Sequence, residues 1–240
     1  YTFRARYAVM QQIELGGRQI LMPKYYTNLD ELEMKLKTFS FRVTKDQCLD
    51  LPPKIYMFRD VHLNLEQKNI YETLRKKARA IIADDTVSFA NKLVEILRLH
   101  QICNGFLKTD TGQLHIFKNN PKLKELLRIL EEVDGKCIIW ATYVHNIESI
   151  KQTLGDLYGK DSVVSIYGKD SVEDRKLAVA SFQHNDRCRF LVGNPSTGGY
   201  GLTLTAARNV IYFSNSYNLE VRKQSEDRAH RIGQKNKVSY

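Results

Sequence analysis

The chain has 240 residues, 42% of them apolar, a formal net charge of +10 and a pI near 9.3. That apolar content supports a packed core and excludes wholesale disorder, and no stretch approaches the ~18 consecutive apolar residues of a membrane helix. The basic excess fits a polyanionic partner, nucleic acid above all, or a surface kept soluble by charge; charge alone leaves these two even.

The sequence opens YTFRARYAV, with neither an initial Met nor a signal-peptide pattern, and ends inside an apparent strand, KVSY, so it reads as an excerpt of a longer protein. The four cysteines, Cys48, Cys103, Cys137 and Cys188, form no CxxC pair, which fits a reduced, intracellular protein. His184 and Cys188 stand four apart, but one such pair without further ligands is far more often structural than a metal site.

In chain order, NLDELEMKLKTF (28–39) has helical spacing. DLPPK (50–54) reads as a linker, because neither proline continues a helix, and a soft boundary is expected there. KIYMFRDVHL (54–63) alternates enough for a strand. Three amphipathic helices follow at 65–82, 87–104 and 121–133, the last started by Asn120 as cap and Pro121 in the first turn.

From Lys136 onward strands and helices alternate. CIIWA (137–141), SVVSIYG (162–168), RFLVG (189–193) and NVIYF (209–213) are the strands. HNIESIKQTLGDLYG (145–159), a segment capped by Ser171 with Val172, Leu177, Val179, Ala180 and Phe182 on a mixed apolar face, and residues 219–231 are the helices. This βαβ order implies an α/β fold, a mainly parallel sheet with helices on both faces, preceded by a helical linker segment.

Ligands of such sheets sit at the carboxyl ends of the strands, and two candidate loops are expected there. NPSTGGYGLTLTAA (194–207) follows RFLVG; its glycines Gly198, Gly199 and Gly201 allow close backbone approach, and Ser196, Thr197 and Thr203 offer hydroxyls to phosphate or sugar. The second is QSEDRAHRIGQ (224–234), where a continuous helix would put Gln224, Arg228 and Arg231 on one face and fix two guanidiniums for a terminal phosphate. Each has a plainer reading: a tight strand-to-helix turn for the first, and for the second a solvated face with Glu226 and Asp227 paired locally.

The order of these segments decides between the readings. KCIIWATY, GKDSVEDRKLAVASF, GGYGLTLTAA and QSEDRAHRIGQ together resemble motifs of the second motor lobe of superfamily-two ATPases, and more narrowly the Swi/Snf family of double-stranded-DNA translocases. The resemblance covers roughly residues 28 to 240 and is strongest from 136. It implies a RecA-like lobe at 136–240, a helical linker segment at 51–135, and at 1–50 the tail of a first motor lobe with its connector. It implies an ATP hydrolase, DNA-dependent and helicase-like, in which Arg228 and Arg231 are arginine fingers and Gln224 orients their motif. Gln224, Gly199 and Gly201 would serve the nucleotide; Ala141, Thr142, Tyr143, Lys169, Ser196 and Thr197 would lie on the DNA side.

ATP and magnesium would be bound mainly by the first lobe, since there is no GxxxxGK[ST] loop and no Asp-Glu metal box: GGR at 16–18 lacks the Lys-Ser/Thr, and ADD at 83–85 ends a helical pattern. The excerpt alone is therefore expected to be inactive. The implied partners are double-stranded DNA and the N-terminal motor lobe in cis, with no membrane. Two departures stand out: Asn194-Pro195-Ser196-Thr197 replaces the usual Ser-Thr-Arg-Ala, and Tyr217-Asn218-Leu219 replaces Trp-Asn-Pro. The helical region lacks the long insertions of chromatin-remodelling members, which points to a compact member of viral or bacterial type. The rival readings are a non-catalytic DNA- or protein-binding module of the same fold and a true strand-separating helicase.

Overall fold

A computed structural model describes residues 2–15, 18–43, 47, 49–83, 89–109, 111–198 and 201–240. It divides into two compact units, Tyr1–Leu49 and Asp50–Tyr240.

The first unit holds a hairpin that the reading of the sequence did not anticipate. Strands β1 (Ala8–Leu15) and β2 (Arg18–Tyr26) pair antiparallel, from Ala8 opposite Tyr26 to Leu15 opposite Arg18. The register slips between Val9 and Met10, where Pro23 enters the ladder without an N–H to give. A short helix α1 (Thr2–Tyr7) precedes the hairpin and α2 (Leu29–Lys37) follows it. Glu31 on α2 takes Arg6 at 2.7 Å and Lys35 at 2.6 Å, and those two cations hold its carboxyl down at about 2.

In the second unit six parallel strands run in the order β3-β10-β9-β6-β8-β7. They are β3 (Lys54–Ile55), β6 (Lys136–Trp140), β7 (Val163–Ile166), β8 (Phe190–Gly193), β9 (Ala207–Tyr212) and β10 (Val238–Ser239). The long strand expected at 54–63 is a correction: only Lys54–Ile55 forms strand, against β10, with the Met57 N–H adding one bond to the Tyr240 carbonyl. Between β3 and β6 lie α3 (Leu65–Ala83), α4 (Phe89–Cys103), a small hairpin of β4 (Phe106–Lys108) and β5 (Leu114–Ile116), and α5 (Pro121–Glu132). The Asn120 side chain accepts from the Lys122 N–H and Pro121 occupies the first turn, so the cap forms as its residues dictate.

Strand β6 shows why both faces need helices. Its period of two sends Cys137 and Ile139 one way and Ile138 and Trp140 the other, and all four are fully buried. The first face packs on Leu126 and Leu130 of α5 and on Ile147, Ile150 and Leu154 of α6 (Val144–Tyr158). The second packs on Phe182 of α7 (Val172–His184) and Ala229 of α9 (Leu219–Ala229), with Leu204 between; a single turn, α8 (Pro195–Gly198), follows β8. Helix α7 starts in a capping box between Ser171 and Asp174. Its expected apolar face is narrower than its composition suggested, for Val172 and Leu177 are exposed and Phe182 carries the burial.

Gly193 ends β8 where no side chain fits. A Cβ there would stand 2.7 Å from the Ile166 carbonyl oxygen and 3.1 Å from the Trp140 ring, both immobile. Gly193→Ala is expected to destabilise the second unit by about 1–3 kcal/mol through overpacking. Urea unfolding followed by Trp140 fluorescence measures it; an unchanged midpoint contradicts the packing described.

Candidate functional site

Parallel strands give the sheet a carboxyl edge and an amino edge, and the candidate residues gather at both. At the carboxyl edge β6 ends in Trp140, followed by Ala141, Thr142 and Tyr143. Asn194 is the tie here: its Nδ2 donates to the Thr142 carbonyl at 2.9 Å, and its Oδ1 accepts from the Ser196 N–H at 2.9 Å. The Thr142 N–H in turn donates to Ser214 Oγ at 2.8 Å. One amide thus joins the segment after β6 to the loop after β8.

Among residues expected to face DNA, Thr142 and Thr197 are half-buried, and Ser196 and Lys169 are exposed, Lys169 3.5 Å from Glu148. Ala141 is a correction. Its side chain is fully buried in the α5–α6 layer, so no phosphate can reach it. Tyr143 is also committed inward: its hydroxyl lies 2.8 Å from His100 Nδ1 and its ring meets Phe106 edge-on, while burial pushes its phenol up to about 12.

The arginines stand elsewhere than expected. Helix α9 leaves the carboxyl end of β9, runs back along the sheet and ends at Ala229, so the turn after it lies at the amino edge, beside the start of β9. The expected helix through 231 is therefore a correction, as is the placing of both loops at the carboxyl edge. Gln224 and Arg228 share a helical face four residues apart, with Gln224 donating to Glu220 at 2.8 Å; Arg231 belongs to the turn beyond.

The physical reason for the turn is Gln234. Its buried Nε2 donates to the carbonyls of Thr205 at 3.1 Å, Ala207 at 3.0 Å and Ala229 at 3.1 Å, and its Oε1 accepts from the Asn236 N–H. It caps the last carbonyl of α9 and pins it to the entrance of β9. Gly233 has φ +95°, a left-handed conformation that glycine supplies without strain.

The glycine-rich loop meets this turn. The Leu204 N–H donates to the Arg228 carbonyl at 2.9 Å, and Arg231 Nη1 reaches the Leu202 carbonyl at 3.4 Å. The loop leaves the carboxyl edge at Asn194 and arrives at the amino edge by Leu204, so it spans both candidate areas. Gly199 lies outside the described residues; Gly201 is exposed with φ +74°. Arg228 is half-buried and its Nε has no hydrogen-bond partner among the described residues. Burial, then repulsion from Arg231, pulls its guanidinium down. Two crowded guanidiniums with a spare N–H fit an anion between them. No three His, Cys, Asp or Glu side chains gather as a metal site among the described residues.

Glu226, first read as a local partner on a solvated face, is instead buried, held by one neighbour on its own helix and two partners from a distant segment. Arg222 Nε donates to it at 2.8 Å, Tyr56 Oη at 2.7 Å and Lys54 Nζ at 3.2 Å. Burial pushes this carboxyl up, but these three donors outweigh it and leave it below the ordinary range. In the sequence Gln234 closes its run and Glu226 reads as a local partner, but neither carries its structural role there, because the partners that define it lie in other segments. The one usable signal was that an amide and a carboxylate sat in a run otherwise explained by its arginines.

Residues 119–233 match the family described as the helicase conserved C-terminal domain. The chain is 30% identical over 216 residues to an uncharacterized ATP-dependent helicase of Mycoplasma genitalium, covering 88% of this chain and 20% of that protein. It is 29% identical over 217 residues to the putative ATP-dependent helicase/translocase YwqA of Bacillus subtilis, covering 86% and 23%. The chain thus spans about a fifth of the length of these curated relatives. Among solved structures, the Sulfolobus solfataricus SWI2/SNF2 ATPase core in complex with dsDNA superposes with a TM-score of 0.64 at 26% identity, over 88% of this chain and 45% of that one. The C-terminal part of the Fun30 ATPase domain superposes with a TM-score of 0.63 at 20% identity, over 79% and 84%, a likeness of fold.

Two outcomes follow from the buried partners. Gln234→Leu keeps the volume but strands the Thr205, Ala207 and Ala229 carbonyls, so urea unfolding at neutral pH is expected to show a loss of about 1–3 kcal/mol for each acceptor left dry. A variant as stable as the parent would remove Gln234 as the pin. The depressed Glu226 carboxyl adds stability that is fully present above its unfolded value of 4.5 and is lost as pH falls through its lower folded value. The melting temperatures of the parent and Glu226→Gln are therefore expected to converge as pH drops below that point; a constant gap would contradict the sign.

Proposed function

We propose that this chain, a C-terminal helicase lobe of the SWI2/SNF2 family, serves ATP-driven translocation along duplex DNA, with Arg228 and Arg231 as its arginine fingers. The observation that carries the reading is the paired guanidiniums at the amino edge. Arg228 stands in the last turn of α9 and Arg231 on the turn beyond that Gln234 pins, and Arg228 Nε has no hydrogen-bond partner among the described residues. ATP is the substrate that such a pair suits. Charge growing on the transferring phosphoryl group is met by fixed donors that need not reorganise. Arg228 and Arg231 would hold that charge, the Leu202 carbonyl orients Arg231 from the turn, and Gln224 shares the helix face of Arg228 alone. No group of acidic or His/Cys side chains among the described residues fits magnesium, so we assign it to a first motor lobe in cis that carries the phosphate loop.

Duplex DNA would lie at the carboxyl edge, on Thr142, Lys169, Ser196 and Thr197. The separation of the two edges supports this division, because phosphate contacts and nucleotide contacts then use different ends of one loop. Asn194 holds the DNA end and Leu202 to Leu204 the nucleotide end. The Sulfolobus core solved with dsDNA is a relative in which such a lobe meets a duplex.

The test uses the protein carrying both lobes. Arg231→Ala is expected to lower DNA-stimulated ATP turnover by ~10³-fold while leaving DNA affinity intact, and Arg231→Lys to rescue little, for lack of the planar fork. Duplex binding by this chain is expected to be indifferent to sequence, with log K falling at a slope of about −4 against log salt if some four phosphates are neutralised. This chain alone is expected not to hydrolyse ATP. Unchanged turnover in Arg231→Ala would return both arginines to a solvated surface. Lost DNA binding with unchanged turnover per complex would place Arg231 on the DNA track.

A further inference from the structure

Helix α9 has two functional sides, and the second concerns a different partner. The spacing of four puts Arg222, Glu226 and His230 in one row, apart from the row of Gln224 and Arg228. Facing that first row is the segment that begins the second unit. There the Pro52 carbonyl and the Lys54 and Tyr56 side chains reach the helix at alternate positions, Tyr56 by its hydroxyl while the residue as a whole stays exposed.

Each of these positions makes a contact with the first row. His230 Nε2 donates to the Pro52 carbonyl at 2.8 Å. Lys54 Nζ reaches Glu226 at 3.2 Å and Asp227 at 3.5 Å. Tyr56 Oη donates to Glu226 at 2.7 Å. Both carboxylate oxygens of Glu226 are engaged, Oε1 by Arg222 and Oε2 by Lys54 and Tyr56, and Tyr240 Oη takes its backbone carbonyl at 2.9 Å. Surface pairs of this kind hold little, but the Glu226 side chain is only 9% exposed, so its partners fix one geometry.

We propose that Glu226 is a positioning residue. Gripped by Lys54 and Tyr56, it ties α9 to the edge strand β3 and thereby sets where Arg228 and Arg231 stand. The proposal rests on the reading of those arginines as nucleotide-facing. Glu226 touches no nucleotide; it acts through the turn two to five residues further on. A loosened tie lets that turn drift, and misplacement of about an ångström costs on the order of 10²-fold in rate without weakening ground-state binding.

The experiment compares Tyr56→Phe, Lys54→Met, Lys54→Arg and Glu226→Gln, with Arg231→Ala as control, in the protein carrying both lobes. DNA-stimulated kcat, KM for ATP, duplex affinity and amide exchange are measured. The expected result is a fall in kcat of about tenfold in Tyr56→Phe and about 10²-fold in Glu226→Gln, with KM and duplex affinity unchanged. Faster exchange is expected over 228–234 and not in β6 or β8, with Lys54→Arg close to the parent. Tyr56→Phe removes one hydroxyl, so it keeps the test alive should Glu226→Gln fold poorly. Exchange that rises throughout the sheet in step with lost turnover would make Glu226 merely structural and overturn the proposal. So would unchanged kcat in these variants beside a collapsed Arg231→Ala, and that outcome leaves the arginine reading standing. Unchanged turnover in Arg231→Ala itself would bring down both.

Discussion

A single buried amide joins three parts of the second unit. Gln234 Nε2 lies within hydrogen-bond distance of carbonyls from the end of the glycine-rich loop, the first residue of β9 and the last residue of α9. An amide nitrogen has two N–H donors, so these three acceptors share them in a bifurcated arrangement. Such sharing is tolerable only where water is absent and the acceptors would otherwise go unpaired. Because the pin sits past the helix end, α9 stops at Ala229, Gly233 turns, and Arg231 is delivered from a turn rather than from a helical face. The position of both arginines, the path of the loop and the start of β10 all follow from it.

The same logic separates two tasks along one loop. Asn194 fixes its first residues to the segment after β6, and Arg228 and Arg231 fix its last residues to the end of α9. Leu204, where the loop meets α9, is itself buried in the core. The Asn194 amide sets its donor and its acceptor on separate atoms, Nδ2 to the Thr142 carbonyl and Oδ1 from the Ser196 N–H, and so bridges two segments at once.

The parallel sheet was legible because apolar runs such as CIIWA are buried on both sides and offer no alternation to misread. The starts of α5 and α7 were legible because Asn120-Pro121 and Ser171-x-x-Asp174 are local chemistry. What the sequence concealed was non-local. The hairpin of the first unit is built from strands whose side chains are largely exposed on both faces, so period two carries no apolar signal there. The short extent of β3 depends on how far β10 runs beside it. The end of α9 is decided by an amide five residues downstream, and helix periodicity cannot register that. Burial of Ala141 follows from its being one step past the strand end on the same face as Ile139, a consequence of register that motif comparison does not weigh.

The sheet is bounded by very short strands, two residues in β3 and four in β7. An unpaired strand edge is a template for recruiting other chains, and its reach grows with its length. Along β7 a second molecule would find only a few backbone groups in register. The brevity of this rim thus discourages edge-to-edge pairing as much as it limits the fold.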